Sequence, residues 1–280
     1  MRVLTRVPIS FEAEDGSTQH APLVTGTVDG IETRLVLDTG SDVHLLTKEL
    51  VDRLGLDVEP GEEGTDHSGA RMPSWFVQDV SLSLGEIDAT LTGVVAIPAP
   101  APFPAKGIGG ILSPQHLHPT ASVVIDLVHD ELLLVEGPDE ALVAWLRERA
   151  PSLTTLRLER DAGFATPVVD AAIRPHASIP TLLNTGGRGT EFSSDAVPGL
   201  GDGKAQRLGG GVSGADVVGS LAGSQVLEVA GHEVPVERLA VRDRMHDPQA
   251  MVGMDVLRGT VLACAADPRR AVVWQVPGRD

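Results

Sequence analysis

An internal repeat is the feature that most constrains this chain of 280 residues. The apolar run Leu35–Leu37 ends in Asp38-Thr-Gly-Ser, and the later run Ile179–Leu183 ends in Asn184-Thr-Gly-Gly. A short aliphatic and β-branched run of this kind predicts a buried strand. Each copy therefore presents a polar side chain, a threonine and a glycine where a strand ends.

Two further signals recur in the same order around these motifs. Upstream, Pro22 and Pro167 open similar apolar runs at nearly the same distance from their motifs. Downstream, Gly109–Leu117 corresponds to Met251–Leu257, and each is followed by two apolar runs that predict a hairpin. The period is too long for a solenoid and fits two homologous lobes.

Asp38-Thr-Gly-Ser after an apolar strand resembles the active-site loop of the aspartic peptidases, both the two-lobed pepsin kind and the single-lobed retropepsin kind. Met251–Leu257 is similar to the second motif of that family. The resemblance implies an all-β, bilobal acid-protease fold with few short helices, in which two homologous lobes are related by a pseudo-two-fold axis. We predict lobes at residues 1–136 and 152–280.

We predict that residues 137–151 form a linker helix between the lobes. Acidic residues open the segment, arginines close it and Pro151 follows, which is the usual charge order of a helix. A second, amphipathic helix is predicted within residues 41–56, ending at Gly55. The first 37 residues predict three strands, of which the last two meet at the turn Asp29-Gly30.

The resemblance also implies a catalytic pair at Asp38 and Asn184. Aspartic peptidases use two carboxylates that share one proton, so that one activates a water and the other donates to the substrate carbonyl. Asn184 keeps the shape of Asp but cannot deliver a proton. We therefore expect a weakened site, in which Asp38 has a lower pKa than a member of a carboxylate pair would have.

The residues that follow the pair are predicted to support it. By resemblance, the hydroxyls of the two threonines bond across the lobe junction, the two glycines let the loops approach, and the serine hydrogen-bonds the outer oxygen of Asp38. Gly187 replaces the corresponding serine or threonine in the second copy. The supporting residues are Thr39, Gly40, Ser41, Thr185 and Gly186.

Two segments are predicted to form hairpins, or flaps, over a bound peptide. The first lies within Thr65–Trp75, where Trp75 is a candidate substitute for the flap tyrosine of pepsins, because the chain has no Tyr. Packing of Trp75 on its own sheet is the alternative. The candidate flap and substrate-binding residues are His67, Ser68, Gly69, Trp75, Gly211, Val212 and Ser213.

Two functions remain open on these residues. The first is an aspartic endopeptidase that hydrolyses peptide bonds in an inter-lobe cleft with a water activated by Asp38. The second is an inactive pseudoprotease that binds peptides. We favour hydrolysis, since Asp38 and its supporting residues are retained.

Composition sets the remaining expectations. A net charge of −17 disfavours nucleic acid and anionic membrane surfaces as partners. The single cysteine, Cys264, cannot form an intramolecular disulfide, and no run of about 18 apolar residues suggests a membrane span. We expect a cytoplasmic protein with a peptide or protein substrate and no cofactor. The second lobe covers the surface that a retropepsin-like dimer would use, which favours a monomer.

No metal is expected either. His116 and His118 are predicted to share one side of a strand, but no cysteine or carboxylate follows at ligand spacing.

Overall fold

The computed structural model describes residues 1–201, 203–243, 245 and 247–278. Strands dominate the first half of the chain, which also contains one α-helix. In order, its elements are β1 (Arg2–Pro8), β2 (Ser10–Glu12), β3 (Thr18–Val28), β4 (Ile31–Leu37), β5 (Leu45–Thr47), α1 (Lys48–Leu54), β6 (Val58–Pro60), β7 (Gly64–Thr65), β8 (Arg71–Met72), β9 (Trp75–Val77), β10 (Val80–Leu84), β11 (Ile87–Leu91), β12 (Val95–Ile97), β13 (Ile108–Leu112), β14 (Ser122–Asp126) and β15 (Glu131–Glu136).

The second half repeats this strand-rich pattern after a longer helix. Its elements are α2 (Asp139–Arg149), β16 (Leu153–Leu158), β17 (Val168–Ile173), β18 (Ile179–Leu183), β19 (Glu191–Ser193), β20 (Gln206–Gly210), β21 (Asp216–Leu221), β22 (Gln225–Val229), β23 (His232–Val236), β24 (Ala240–Arg242), β25 (Ala250–Val252), α3 (Met254–Leu257), β26 (Val261–Ala265) and β27 (Val272–Pro277). The all-β prediction with few short helices is confirmed.

Each half builds its own large sheet, and the pairings around the two repeated motifs correspond. In the first half, β4 pairs parallel with β13, and β13 pairs antiparallel with β5. In the second half, β18 pairs parallel with β25, and β25 pairs antiparallel with β19. Asp38 and Asn184 therefore follow equivalent strands in the two sheets.

A third sheet of six strands contains elements from both halves, in the order β1-β15-β14-β26-β27-β16. The join is the antiparallel pair β14 and β26, which runs from Ser122 opposite Ala265 to Asp126 opposite Val261. Every residue of β14 and β26 is buried, so this part of the sheet belongs to the core. The lobe boundaries at 136 and 152 stay a prediction, since strands from both predicted lobes complete this one sheet.

Helix α2 packs on one face of the six-stranded sheet. Leu142 and Leu146 are buried on its inner side and belong to one cluster with Val124 and Val273 of the sheet. The predicted helix in this segment is confirmed, and its observed range is Asp139–Arg149.

The first amphipathic helix begins later than predicted. Residues 45–47 form strand β5, which pairs with both β12 and β13, and α1 starts only at Lys48. The hydroxyl of Thr47 accepts the Leu50 N–H at the helix start, and Gly55 ends the helix with φ of 68°. Pairing within the sheet therefore overrides the leucine spacing, while the predicted end is confirmed.

Other local predictions have mixed outcomes. Asp29 and Gly30 form the predicted turn between β3 and β4, with φ of 41° and 86°. The expected strand at His116 and His118 is wrong, because His116 ends a 3₁₀ turn and His118 Nδ1 accepts backbone N–H groups of Thr120 and Ala121.

Among the described residues, no helix is both long and apolar enough to cross a membrane.

Candidate active site

Thr39 and Thr185 bind one another reciprocally where the two halves meet. The Thr39 hydroxyl donates to the Leu183 carbonyl at 2.6 Å, and the Thr185 hydroxyl donates to the Leu37 carbonyl at 2.8 Å. Each hydroxyl also accepts the backbone N–H of the other threonine, at 3.0 and 3.1 Å. Both threonines are fully buried, so these bonds hold the ends of β4 and β18 side by side.

Asp38 and Asn184 each lie against the glycine of the opposite loop. A Cβ atom placed on Gly186 would overlap the Asp38 carboxyl group, and one placed on Gly40 would lie 2.7 Å from Asn184 Nδ2. Gly40 and Gly186 do not have positive φ values. Close approach, and not an unusual backbone conformation, is therefore the reason for glycine at both positions.

Asp38 lies half-buried at the floor of a cleft. Its Oδ1 accepts the Gly40 N–H at 2.8 Å. Burial raises the pKa of Asp38 above the ordinary carboxyl value, although backbone donors and the nearby His67 oppose that rise. Desolvation is the largest of these effects, and the lower pKa expected relative to a member of a carboxylate pair stays a prediction.

The Asn184 side chain is oriented by its oxygen. Its Oδ1 accepts the N–H groups of Gly186 at 2.8 Å and Gly187 at 3.1 Å. Its Nδ2 points towards Met251, whose sulfur lies 3.4 Å away. The amide nitrogen is thus the atom of Asn184 that remains for a water or a carbonyl, and it donates a hydrogen bond without releasing a proton.

The predicted role of Ser41 is not what the structure shows. Its hydroxyl donates to the Val43 carbonyl at 2.7 Å and not to Asp38. Gly187 offers no hydroxyl in the second loop, but its N–H reaches Asn184. The two loops therefore differ in which backbone groups bind the polar side chain.

Different side chains support the two loops from behind. In the first, Ser113 Oγ and Gln115 Nε2 both donate to the Ser41 carbonyl, at 2.7 and 3.0 Å. In the second, the Thr190 hydroxyl donates to Asp255 Oδ1 at 2.8 Å and accepts the Gly253 N–H at 3.2 Å. Burial raises the pKa of Asp255 above the ordinary carboxyl value. Both loops are thus anchored to the motif downstream in their own half.

The cleft above the loops has a volume of about 790 Å³. Its lining combines apolar side chains from both halves with carboxylates near the first loop and the first hairpin. Phe76 is its most exposed aromatic side chain, with 52% of its surface accessible. Its lining includes Asp38, Asn184, His67, Phe76, Val212 and Arg242.

Both predicted hairpins are present and their tips meet. Strands β7 and β8 form the first, and β20 and β21 form the second. The Ser213 N–H donates to Asp66 Oδ2 at 2.8 Å, which joins the two tips directly. Gly211 lies so close to Asp66 that a Cβ atom on it would overlap the carboxylate.

The predicted flap residues divide between the cleft and its surroundings. His67 and Val212 line the cleft, whereas Ser68 and Gly69 line a smaller neighbouring cavity. Trp75 was expected as a candidate flap aromatic, but the described lining of the cleft includes Ser74 and Phe76 and not Trp75. Trp75 packs against the core with Lys48 Nζ 5.8 Å from its ring centre.

Sequence reasoning missed Glu191 and Arg242. Both are buried in strands of the second half, and Arg242 Nη1 lies 3.2 Å from Glu191 Oε2. His67 Nε2 lies 2.9 Å from the same carboxylate oxygen. One signal in the sequence could have indicated this pair, because each of the two strands has a charged residue beside apolar ones. A charged residue that is buried in this way requires a partner.

Within the described residues, no group of three or more His, Cys, Asp or Glu side chains could hold a metal ion.

A comparison with known families bears on the first half. Residues 24–113 match the family model for aspartyl proteases. The matched segment contains Asp38, its supporting loop and the first hairpin, and it ends before the second half begins. It supports an aspartyl protease family and, in general terms, a peptidase-like function. No curated protein matches the chain.

Proposed function

We propose that this protein binds peptides in the cleft between two homologous lobes and hydrolyses them weakly, with Asp38 as the base that activates water. The reciprocal bonding of Thr39 and Thr185 carries the proposal. It holds Asp38 and Asn184 at the floor of one cleft, each against the glycine of the other loop. A pair held in this way suits a water or a peptide carbonyl between the two side chains.

Asp38 must be ionised to take a proton from water. Because burial raises its pKa, the reactive carboxylate forms at a higher pH than that of an ordinary exposed carboxyl group. The hydrolysis rate should therefore rise with pH through the raised pKa of Asp38. This profile differs from that of a carboxylate pair, which loses activity again when its shared proton leaves.

Asn184 would act as an electrophilic partner in this reaction. Its Oδ1 is occupied by two backbone N–H groups, which leaves the NH₂ group to donate to the substrate carbonyl or to the tetrahedral oxyanion. Such a donor stabilises developing negative charge. It cannot protonate the leaving amine, so this proton must return from Asp38.

A peptide-binding module without hydrolysis is the second candidate. The observation that favours it is the amide at position 184 itself, since loss of general acid help costs about 10²–10⁴-fold in rate. The cleft, its apolar lining and the two hairpins would serve binding equally well.

The decisive experiment incubates wild type and Asp38→Asn with a mixed peptide library from acidic to neutral pH and identifies new peptide termini by mass spectrometry. Asn matches Asp in shape, so a difference between the proteins reports the carboxylate. We expect cleavage by wild type that increases with pH and is lost in the variant.

Cleavage that persists in Asp38→Asn would contradict the proposed base. If neither protein cleaves, binding decides between the remaining possibilities. Saturable binding of library peptides to both proteins would support the module, and the absence of binding would reject both functions.

A further inference from the structure

Met251 contacts the side chain of Asn184 at the wall of the cleft. Its sulfur lies 3.4 Å from Asn184 Nδ2, so the thioether can accept a hydrogen bond from the amide. Met251 is 3% exposed, and both side chains belong to the lining of the cleft. One N–H of the amide therefore has a buried acceptor, and the described contacts leave the second N–H of the same group for a water or a substrate carbonyl.

Only one orientation of the Asn184 amide satisfies its neighbours. Oδ1 accepts the N–H groups of Gly186 and Gly187, at 2.8 and 3.1 Å. If the amide were rotated by half a turn, its NH₂ group would face these two N–H donors and its oxygen would face the lone pairs of the sulfur. Every one of these hydrogen bonds would then be lost. The backbone donors on one side and the sulfur on the other thus fix which end of the amide faces Met251.

Gly187 leaves the space that the end of the Met251 side chain occupies. A Cβ atom on Gly187 would lie 2.8 Å from Met251 Cε and 3.2 Å from its sulfur. The φ value of Gly187 is not positive, so the backbone conformation does not require glycine there. Any larger residue at position 187 would displace the thioether from Asn184. The glycine and the methionine therefore depend on each other.

The first half has an aliphatic residue at the equivalent position. In β13, Ile111 lies opposite the residue two positions before Asp38. In β25, Met251 lies opposite the residue two positions before Asn184. Both Ile111 and Met251 line the cleft. Isoleucine offers no hydrogen-bond acceptor, and an ionised carboxylate has no N–H that would need one, whereas an amide has two.

We propose that Met251 is a positioning residue for Asn184, and that its sulfur, in the space left by Gly187, holds the amide with its nitrogen available to a ligand in the cleft. A thioether accepts a hydrogen bond from an amide and offers none to a carboxylate. The second loop is therefore adapted to an uncharged donor at position 184. The orientation of the amide is independent of hydrolysis, whereas its effect on the reaction rests on the proposed function.

Nuclear magnetic resonance of the peptide-free wild-type protein tests the orientation directly. With isotope-labelled methionine methyl groups and amide nitrogens, the Met251 methyl group should show a nuclear Overhauser effect to the NH₂ protons of Asn184, because the methyl is bonded to the sulfur that the amide contacts. Asn184→Asp identifies the NH₂ signal by removing it, and Met251→Leu identifies the methyl signal in the same way. The absence of this effect in wild type would overturn the proposal.

Solvent exchange of the Asn184 NH₂ protons tests the hydrogen bond. Met251→Leu removes the sulfur and keeps an apolar side chain of similar volume, so exchange should become about tenfold faster. Met72→Leu is the matched control, because Met72 also lines the cleft and no described contact joins it to Asn184. Gly187→Ala, which pushes the end of Met251 aside, should have an effect of similar size.

The double variant Gly187→Ala with Met251→Leu should exceed either single variant by less than about twofold, since both changes remove the same contact. Exchange at the wild-type rate in both single variants would overturn the proposal. If Met251→Leu does not fold, Met251→Ile, which copies position 111, takes its place.

Steady-state kinetics separate positioning from packing in the cleft wall. On a peptide that wild type cleaves, Met251→Leu should lower kcat about tenfold and leave KM within about twofold, because the oriented amide acts on the reacting carbonyl. A raised KM with unchanged kcat would overturn the positioning role. If wild type cleaves no peptide, the proposed function fails, and the Overhauser and exchange measurements alone decide the role of Met251.

Discussion

The Asp38 loop and the Asn184 loop have nearly the same backbone arrangement and different chemistry. In each, the side-chain oxygen accepts the N–H of the glycine two residues later at 2.8 Å. In each, the threonine binds the opposite half. Only Asp38 titrates. The comparison shows that threonine hydroxyls form the joint between the halves, and that the joint is present whether the preceding residue is Asp or Asn.

The supports behind the loops differ in a way that matches this asymmetry. Neutral groups, Ser113 and Gln115, bind the first loop, which already contains the half-buried carboxyl group of Asp38. A carboxyl group, Asp255, supports the second loop, which contains the neutral Asn184. The two loops therefore differ in the charge of the side chains that bind them from behind, as they do in the side chain that they present to the cleft.

The largest effect is expected from making the two loops alike. Asn184→Asp restores a second titrating group in a scaffold that already directs two N–H donors at its oxygen. We expect peptidase activity at acid pH to rise by roughly 10²-fold or more, with a bell-shaped pH–rate profile whose two apparent pKa values belong to the pair. Initial rates on a peptide cleaved by wild type, measured across pH, provide the test.

The double variant Asp38→Ala with Asn184→Asp is the control and should be inactive. An unchanged rate and pH profile in Asn184→Asp would show that position 184 does not contact the reacting groups. Thermal unfolding should accompany the kinetics. Two close carboxylates raise the pKa of one of them, so the single variant should lose stability as pH rises.

The second effect concerns the threonines that join the loops. Thr39→Val and Thr185→Val keep side-chain shape but remove a hydroxyl that both donates and accepts in a buried site. Leaving buried partners unsatisfied should cost about 2–4 kcal/mol in each variant, since each orphaned group costs roughly 1–3 kcal/mol. Urea unfolding measures this cost. A much larger loss of unfolding free energy in one of the two variants would contradict the equal roles of the two threonines.

A smaller and unequal effect is expected from the glycines. Gly186→Ala places a methyl group into the Asp38 carboxyl group, whereas Gly40→Ala meets the amide of Asn184 less severely. Both should destabilise by about 1–3 kcal/mol, as overpacking does. The Gly186 variant should lose more hydrolysis, because it displaces the proposed base. Equal activity in the two variants would contradict the proposal that only the Asp38 loop carries the base.

The smallest effect is expected from Ser41→Ala. The hydroxyl bonds Val43 and not Asp38, so its removal should cost no more than about 1 kcal/mol and leave the pH–rate profile in place. A shifted profile would mean that Ser41 does influence the carboxylate. Gly187→Ser is the corresponding variant of the Asn184 loop, to which it adds a hydroxyl group.

Local sequence signals predicted the elements that depend on local chemistry. The turn at Asp29-Gly30 and the helix end at Gly55 follow from residues that favour positive φ, and α2 follows from its charge order. The late start of α1 could not be predicted in this way. Residues 45–47 become strand because β12 and β13, distant in sequence, pair with them.

The candidate site shows the same division. The repeated Asp/Asn-Thr-Gly motif located the floor of the cleft, and the resemblance to the family located the hairpins. The contact of His67 with Glu191 and Arg242 joins residues far apart in the chain, and neither partner lies in a motif. The pKa direction of Asp38 also required the packing around it, since sequence names its neighbours but not its exposure to water.

The shared six-stranded sheet has a consequence for how the chain is made. Strand β14 emerges from the ribosome early, but its partner β26 is among the last segments to be synthesised. Throughout that interval, a nascent chain carries an apolar strand with one open edge, which is a known route to misassociation. A stalled translation product ending before residue 261 should therefore bind chaperones, and addition of a peptide spanning β26 and β27 in trans should release it.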